Sequence, residues 1–286
     1  MLAKRLPSLL PAVLITVCNM ASRNGLNPKI RGLKGVGFGR PLLGAFGFEN
    51  GVSLDGVDDF IEVIHYYGVT SFPVNMTVEY WVKPKVDSPV ENTLLTCHVG
   101  DGGGSITKML GLYNPAGNMQ VCRNVTNIGG DYIADPFTYL ANVKYHICIV
   151  IEGDNYRFYR NGALVGSSTM GHNAVAGAIG QFSLFRYNVG IFNRAVYDEV
   201  RFYNVALTVP QIANNYNGGA GANPCITEFL MLWYKFEQFE VLDFSALQDG
   251  SDMRTGVRDL SGKNAHGLPQ NMDTNPASPT YVLKHF

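Results

Sequence analysis

The stretch "YHICIVIEGDNYRFYRNGALVGSS", Tyr145 to Ser168, decides the class of fold. It opens on a short β-rich run, Tyr145 to Ile151, and Glu152-Gly153-Asp154-Asn155 then supplies a turn. A second run from Tyr156 leads into Asn161-Gly162, the pair that gives a tight type I′ hairpin its two positive-φ positions. Three antiparallel strands thus follow one another without a helix between them.

The same punctuation continues in both directions. "VSLDGVDDFIEVI" from Val52, "MTVEYWVKP" from Met76, "NTLLTCHV" from Asn92, "KMLGLYN" from Lys108 and "NMQVCRNV" from Asn118 are short β-rich runs set about eight to fifteen residues apart. Such spacing predicts an antiparallel sandwich or barrel. One segment of the body reads as helix, Val209 to Tyr216, with Thr208 as N-cap and Pro210 in the first turn. Upstream, "RGLKGVGFGRPLLGAFGF" (Arg31 to Phe48) cannot sustain a helix and reads as an extended linker.

Composition agrees: 46% hydrophobic and 16% charged residues with 32 glycines describe a turn-rich globular body and exclude a disordered chain. Charge is unevenly placed. Lys4, Arg5, Arg23, Lys29, Arg31, Lys34 and Arg40 meet no acid before Glu49, so the first forty residues carry +7 and, with a total of -1, the rest carries -8 by difference. A basic arm of this kind seeks an acidic surface, while the body shows no nucleic-acid footprint. Its apolar residues Leu9, Leu10, Val13 and Leu14 lie in a stretch, Leu6 to Val17, broken by Pro7 and Pro11 and too short to span a bilayer. With Lys4 and Arg5 before it and Cys18 after it, that stretch has the layout of an export signal, although Val17 departs from the small residue a lipoprotein cleavage box requires. Five cysteines, Cys18, Cys97, Cys122, Cys148 and Cys225, have neither zinc-site nor disulfide-framework spacing and read as buried thiols.

Four motifs in order, "LDGVDDFIEV" (Leu54 to Val63), "MTVEYWVKP" (Met76 to Pro84), the Tyr145 to Ser168 stretch and "VYDEVRFYNVALTVPQIANNY" (Val196 to Tyr216), resemble the laminin-G-like, concanavalin A-like lectin family. The resemblance implies an all-β concanavalin A-like jelly-roll β-sandwich of two antiparallel sheets over about residues 52 to 217. One departure stands out. The family's "W-x-Phe-Glu" strand and "Asp-Leu-Ser-Gly" loop normally precede the Leu-Asp-Gly strand, whereas here "LMLWYKFEQFE" (Leu230 to Glu240) and "RDLSGKNAHG" (Arg258 to Gly267) follow everything else. The chain therefore divides into an arm, 1–50, a sandwich, 51–225, and a C-terminal segment, 226–286, expected to add a strand to the same sandwich. Rearranged ends with a sticky arm also resemble virion-associated proteins of bacteriophages.

Glucanases of this fold place Glu-x-Asp-x-x-Glu on one strand so that the carboxylates share a cleft. The nearest string, Glu152 to Arg157, crosses a turn and ends in Arg157 where the second carboxylate belongs, so hydrolysis is not expected. Ser-His-Asp, phosphate-loop and His-Glu-x-x-His signatures are absent too, and His65, His98, His146 and His172 lack ligand spacing. Asp55, Asp58 and Asp59 read as turn-capping acids, and Asp198, Glu199 and Arg201 as a charge cluster at a strand edge. No cofactor is required; calcium, where bound, is expected at the loop residues Asp101, Asp131 and Asp135, which the family resemblance favours. A saccharide is expected at loop-end tyrosines and their neighbours, Tyr113, Asn114, Tyr132, Tyr187 and Asn188, with Tyr139 nearby, while Trp81 and Trp233 read as core.

The function expected from these features is that of a non-enzymatic virion structural or adhesion protein of a bacteriophage. Its arm would dock to other virion proteins or to copies of itself, and its lectin-like domain would face a surface glycan. An exported or lipid-anchored bacterial lectin is the alternative, and a glycan-cleaving enzyme the third.

Overall fold

The computed structural model describes residues 50–63, 73–86, 97–100, 106–113, 119–125, 132–135, 137–169, 181–187, 191–244, 253–278 and 280–286, with backbone alone for 97–100, 106–113, 119–125, 132–135, 181–182, 187 and 191–192. The arm residues Lys4, Arg5, Leu9, Leu10, Val13, Leu14, Arg31, Lys34 and Arg40 lie outside that set.

In chain order the strands are β1 (Asn50–Ser53), β2 (Phe60–Val63), β3 (Asn75–Pro84), β4 (Cys97–Gly100), β5 (Ile106–Tyr113), β6 (Met119–Val125) and β7 (Tyr132–Asp135). After them come β8 (Tyr145–Glu152), β9 (Asn155–Arg160), β10 (Ala163–Thr169), β11 (Gln181–Leu184), β12 (Arg186–Tyr187), β13 (Ile191–Phe192) and β14 (Ala195–Tyr203). The helix α1 (Val209–Tyr216) separates these from β15 (Leu230–Tyr234), β16 (Glu240–Asp243), β17 (Met253–Gly256), β18 (Gly267–Gln270) and β19 (Leu283–His285). One sheet runs β10-β9-β8-β3-β14-β1-β19 with β15 also on β14, and the other runs β18-β2-β11-β4-β5-β6-β7. All pairings within both sheets are antiparallel.

The quoted stretch forms β8, β9 and β10, and Asn161 and Gly162 take φ of 50° and 74° at the hairpin. The side chains alternate as a two-sided strand requires. On β3, Met76, Val78, Tyr80 and Val82 point into the main core, and on β8 Ile147, Ile149 and Ile151 join them. Cys148 and Val150 point the other way, where Ile212 of α1 covers them together with Tyr159, Tyr203 and Leu230. Cys148 is a buried free thiol, its ionisation pushed well up by burial.

The C-terminal segment contributes to both sheets. β15 pairs with Val200–Tyr203 of β14, continuing the edge on which β1 pairs with Val196 and Tyr197; β19 lies beside β1, and β18 beside β2. Met231, Leu232, Tyr234 and Phe236 enter the main core. The Asp-Leu-Ser-Gly loop locks this strand in place. Asp259 accepts hydrogen bonds from the Trp233, Ser261 and Ala265 amides at 2.9, 2.9 and 3.0 Å, and Tyr234 donates to the Ala265 carbonyl at 2.6 Å.

The strand-edge reading of Asp198, Glu199 and Arg201 is corrected, because β14 is flanked on both edges and all three residues are buried. Where β1 gives way to β15, β14 bulges between Asp198 and Arg201, with Glu199 at a φ of 50°. Arg201 donates to Glu79 Oε1 at 2.8 Å, to Glu199 Oε2 at 2.7 Å and to the Ala222 carbonyl at 2.6 Å. Asn215 of α1 donates to Glu79 Oε2 at 2.9 Å, and the Trp233 indole donates to Glu199 Oε2 at 2.6 Å. Trp233 is half-buried, packed against the cluster of Ile212 and Leu230, and donates this bond from its ring edge. Arg201 makes the network close, since its guanidinium can serve both carboxylates and a carbonyl from one plane.

The Leu-Asp-Gly turn is built as its acids suggested. Asp55 Oδ1 accepts the Val57 amide at 2.7 Å, and Asp59 Oδ2 accepts the Asp55 amide at 3.1 Å. Burial raises Asp59 from 3.8 to about 6; the Asp55 amide and Lys85 oppose the shift, and the Asp55 and Asp58 charges add to it.

Arg201→Ala leaves two buried carboxylates without their counter-charge and is expected to destabilise the sandwich by about 3–5 kcal/mol, read from the denaturant midpoint. Asp59 has the opposite pH sign to a salt-bridged acid. Because its folded value is raised, its contribution is full below 3.8 and is lost as pH rises through about 6. Asp59→Asn, which keeps an oxygen for the Asp55 amide, should therefore melt with the parent near pH ~3.5 and above it near pH ~7.5.

Candidate functional site

The β8–β9–β10 ribbon carries an open groove of about 400 Å³ lined by Glu152, Asn155, Tyr156, Arg157, Ser167, Ser168 and Thr169. Its volume falls at the small end of ligand clefts, which run from about 300 to 1,000 Å³. Strand alternation builds it. On β9, Tyr156 and Phe158 go into the core, which leaves Asn155 and Arg157 outward; cross-strand pairing sets Asn155 between Glu152 and Thr169, and Arg157 opposite Ser167. Asn75 accepts the Gly153 amide at 2.9 Å and fixes the turn that carries Glu152 back to Asn155.

Glu152 and Arg157 pair at 2.8 Å, and Thr169 donates to Asn155 Oδ1 at 3.2 Å. The Arg157 Nε–H is buried and has no hydrogen-bond partner among the described residues. The groove thus offers a carboxylate, an amide, a guanidinium and the hydroxyls of Ser167 and Thr169. That set matches a ligand dense in hydroxyl groups, each of which both donates and accepts.

The Glu152 to Arg157 string, which lacks the second carboxylate of a hydrolase motif, supplies Glu152, Asn155, Tyr156 and Arg157 to this groove. The signal that could have found them is the polar alternation Asn155, Arg157 and Ser167, Thr169 on both arms of one hairpin.

Of the residues expected to hold a saccharide or calcium, the described ones are not among those lining this groove. Tyr113 ends β5 and Tyr132 begins β7, on either side of β6, where they pair with Gln120 and Cys122 and are thus offset by two positions. Tyr187 belongs to the separate β12–β13 ribbon. Asn114 and Asn188 lie outside the described residues, as do Asp101 and Asp131, while Asp135 ends β7 opposite Met119. Tyr139 is corrected from loop to core: it is fully buried, with edge contacts to Phe137 and Tyr145 at 5.1 and 4.9 Å.

Asp55, Asp58 and Asp59 bring carboxylate oxygens within 4.8 Å of one another, but two of the three are engaged in the turn. A more deeply buried set of carboxylates is Glu79, Asp198 and Glu199, at most 2% exposed. Burial pushes Glu79 up, yet His146, Arg201 and Asn215 outweigh it and hold its carboxyl below the usual value. Asp198 goes the other way. Burial and the neighbouring Glu199 push it well above the carboxylate range, and its Oδ2 has no hydrogen-bond partner among the described residues. Asn215 donates to Glu79 Oε2, and Arg201 lies between Glu79, Glu199 and the Ala222 carbonyl.

No curated protein sequence matches the chain significantly. Among solved structures, a proposed carbohydrate-binding protein from Bacteroides ovatus is similar at 18% identity and TM-score 0.49, over 82% of this chain and 60% of that one. Domain 4 of AbnA, an extracellular arabinanase from Geobacillus stearothermophilus, solved with arabinotriose, is similar at 18% identity and TM-score 0.43, over 57% and 72%. The enzymatically active domain of tailspike protein 2 from bacteriophage CBA120 is similar at 16% and 0.45, over 64% and 29%. The family model described as the concanavalin A-like lectin/glucanases superfamily matches residues 55–213, from the Leu-Asp-Gly turn into α1. With that match and two antiparallel sheets, the chain belongs to the concanavalin A-like lectin/glucanases superfamily.

Proposed function

We propose that the chain is a non-catalytic glycan-binding adhesion protein that seats a saccharide in the Glu152–Arg157 groove. The observation that carries this is the groove's polar lining: the paired Glu152 and Arg157, Asn155, and the hydroxyls of Ser167 and Thr169. Vicinal sugar hydroxyls would accept from the Arg157 guanidinium and donate to Glu152. Binding without cleavage is supported by the burial of Glu79, Asp198 and Glu199 beneath α1 and by the tie between Glu152 and Arg157. The setting we propose is a bacteriophage particle, in which the basic arm, +7 over its first forty residues, anchors the sandwich and leaves its saccharide site outward.

The test is a glycan array probed with the full chain, followed by calorimetry on the best ligand. Arg157→Ala is expected to weaken saccharide binding by about 10- to 100-fold, the worth of one hydrogen bond to a charged group, and to move stability by less than about 1 kcal/mol. Release of reducing ends from the bound glycan, or binding untouched by Arg157→Ala and Glu152→Ala, would overturn the proposal.

A further inference from the structure

The lining of the β8–β10 groove holds one cation, Arg157, and the way that cation is answered bears on which saccharide the groove can take. On the outward side of the ribbon the strand registers set the side chains in two rows, Glu152, Asn155 and Thr169 in one and Val150, Arg157 and Ser167 in the next. Arg157 finds no partner on β8 within its own row, because Val150 is apolar and packs with Ile212 of α1. It reaches along the diagonal instead, a span within the range of long side chains, and meets Glu152 at 2.8 Å. Both stay in contact with solvent, Arg157 at 33% exposure and Glu152 at 55%. The Gly153 amide, donating to Asn75 at 2.9 Å, fixes the turn at whose foot Glu152 stands. The carboxylate is thus held beside the guanidinium by the fold as well as by attraction.

The surrounding charge leans the same way. Asp154, in that turn, is a second acid, and its Oδ1 has no hydrogen-bond partner among the described residues. Arg160, the other cation of β9, lies with its guanidinium 3.6 Å from the centroid of Phe137, a ring packed against the main core, and β10 carries no charge at all. Two carboxylates therefore stand against one guanidinium at this end of the ribbon.

Neutral and acidic sugars meet that arrangement differently. A guanidinium has five N–H donors and Glu152 accepts from Nη2, so a sugar hydroxyl can join the pair without parting it. A sugar carboxylate seeks two parallel donors, and it gains them by displacing Glu152 or by standing as a third negative charge beside Glu152 and Asp154. Displacement is unfavourable, since Glu152 competes from the same chain at an effective concentration that a free saccharide does not reach. The rest of the two rows, Asn155, Ser167 and Thr169, consists of uncharged groups that donate and accept as sugar hydroxyls do.

We propose that Glu152 sets the charge selectivity of the groove: paired with Arg157, it admits neutral saccharides and turns acidic ones away. The selectivity rests on the glycan-binding reading of the groove and deepens it.

The experiment probes the full chain on an array of neutral glycans, each printed beside its sialylated form, which adds one carboxylate, and then measures the best pair by calorimetry at low and at raised salt. The full chain is expected to favour the neutral member of each pair. Glu152→Gln, an isosteric change at an exposed strand end, should shift the preference about tenfold toward the acidic member, roughly one exposed ion pair gained and one like-charge contact removed, and raised salt should cancel the shift. Glu152→Asp, which keeps the charge, should keep the preference, while Glu152→Gln combined with Arg157→Ala should lose the gain. A full chain that favours the sialylated members and loses them on Arg157→Ala would overturn the proposal and leave the groove standing, as would a preference unmoved by Glu152→Gln in a chain still weakened by Arg157→Ala. No glycan binding, or binding that neither variant alters, would remove the groove itself and the selectivity with it.

Discussion

Arg201 is the constraint on which the outward side of this sandwich depends. A guanidinium at 0% exposure has to be answered by charge, and Glu79 from β3 and Glu199 from the β14 bulge answer it. Those contacts in turn decide what covers the sheet. Asn215 brings α1 onto Glu79, Trp233 brings β15 onto Glu199, and Ala222 brings in the connection between them. A charge pair of this kind adds little net stability over an apolar filling, yet it punishes any other register or helix position by leaving a charge alone. The apolar contacts of Ile212 with Cys148 and Val150 would tolerate sliding; the polar ones would not.

The bulge shows how the fold accepts a strand that arrives late in the chain. β14 has one free edge to offer, and two strands from opposite ends of the body share it, β1 at Val196–Tyr197 and β15 at Val200–Tyr203. Two strands meeting end to end on one edge cannot both keep register through the junction. The kink at Asp198–Glu199 takes up the difference and swings the Glu199 carboxylate to Arg201 and the Trp233 indole. The residue that absorbs the rearranged connectivity is thus also the one that secures it.

What could be read from the sequence was whatever local chemistry states by itself. The Asn161-Gly162 hairpin and α1 from Val209 to Tyr216 follow from positive-φ and N-terminal proline preferences that need no partner. The placement of "LMLWYKFEQFE" in the sandwich was legible from its need to bury alternate residues. The burial of Asp198, Glu199 and Arg201 was not, since charge at alternating strand positions reads as an edge until a covering element is known. Tyr139 failed for a related reason: its segment has loop character, but the ring it carries fills the gap between Phe137 and Tyr145. The groove was hidden because polar alternation on a hairpin looks the same whether it meets water or a ligand, and only the turn that returns Glu152 to Asn155 makes it concave.

The roof over Arg201 also explains where ligands can approach. α1 covers β8 at Cys148 and Val150 and, through Tyr216, at His146, so Glu152 is the one exposed residue of that strand. A helix placed to answer a buried arginine thereby confines the approach of a ligand along β8 to the end that carries the ion-paired groove.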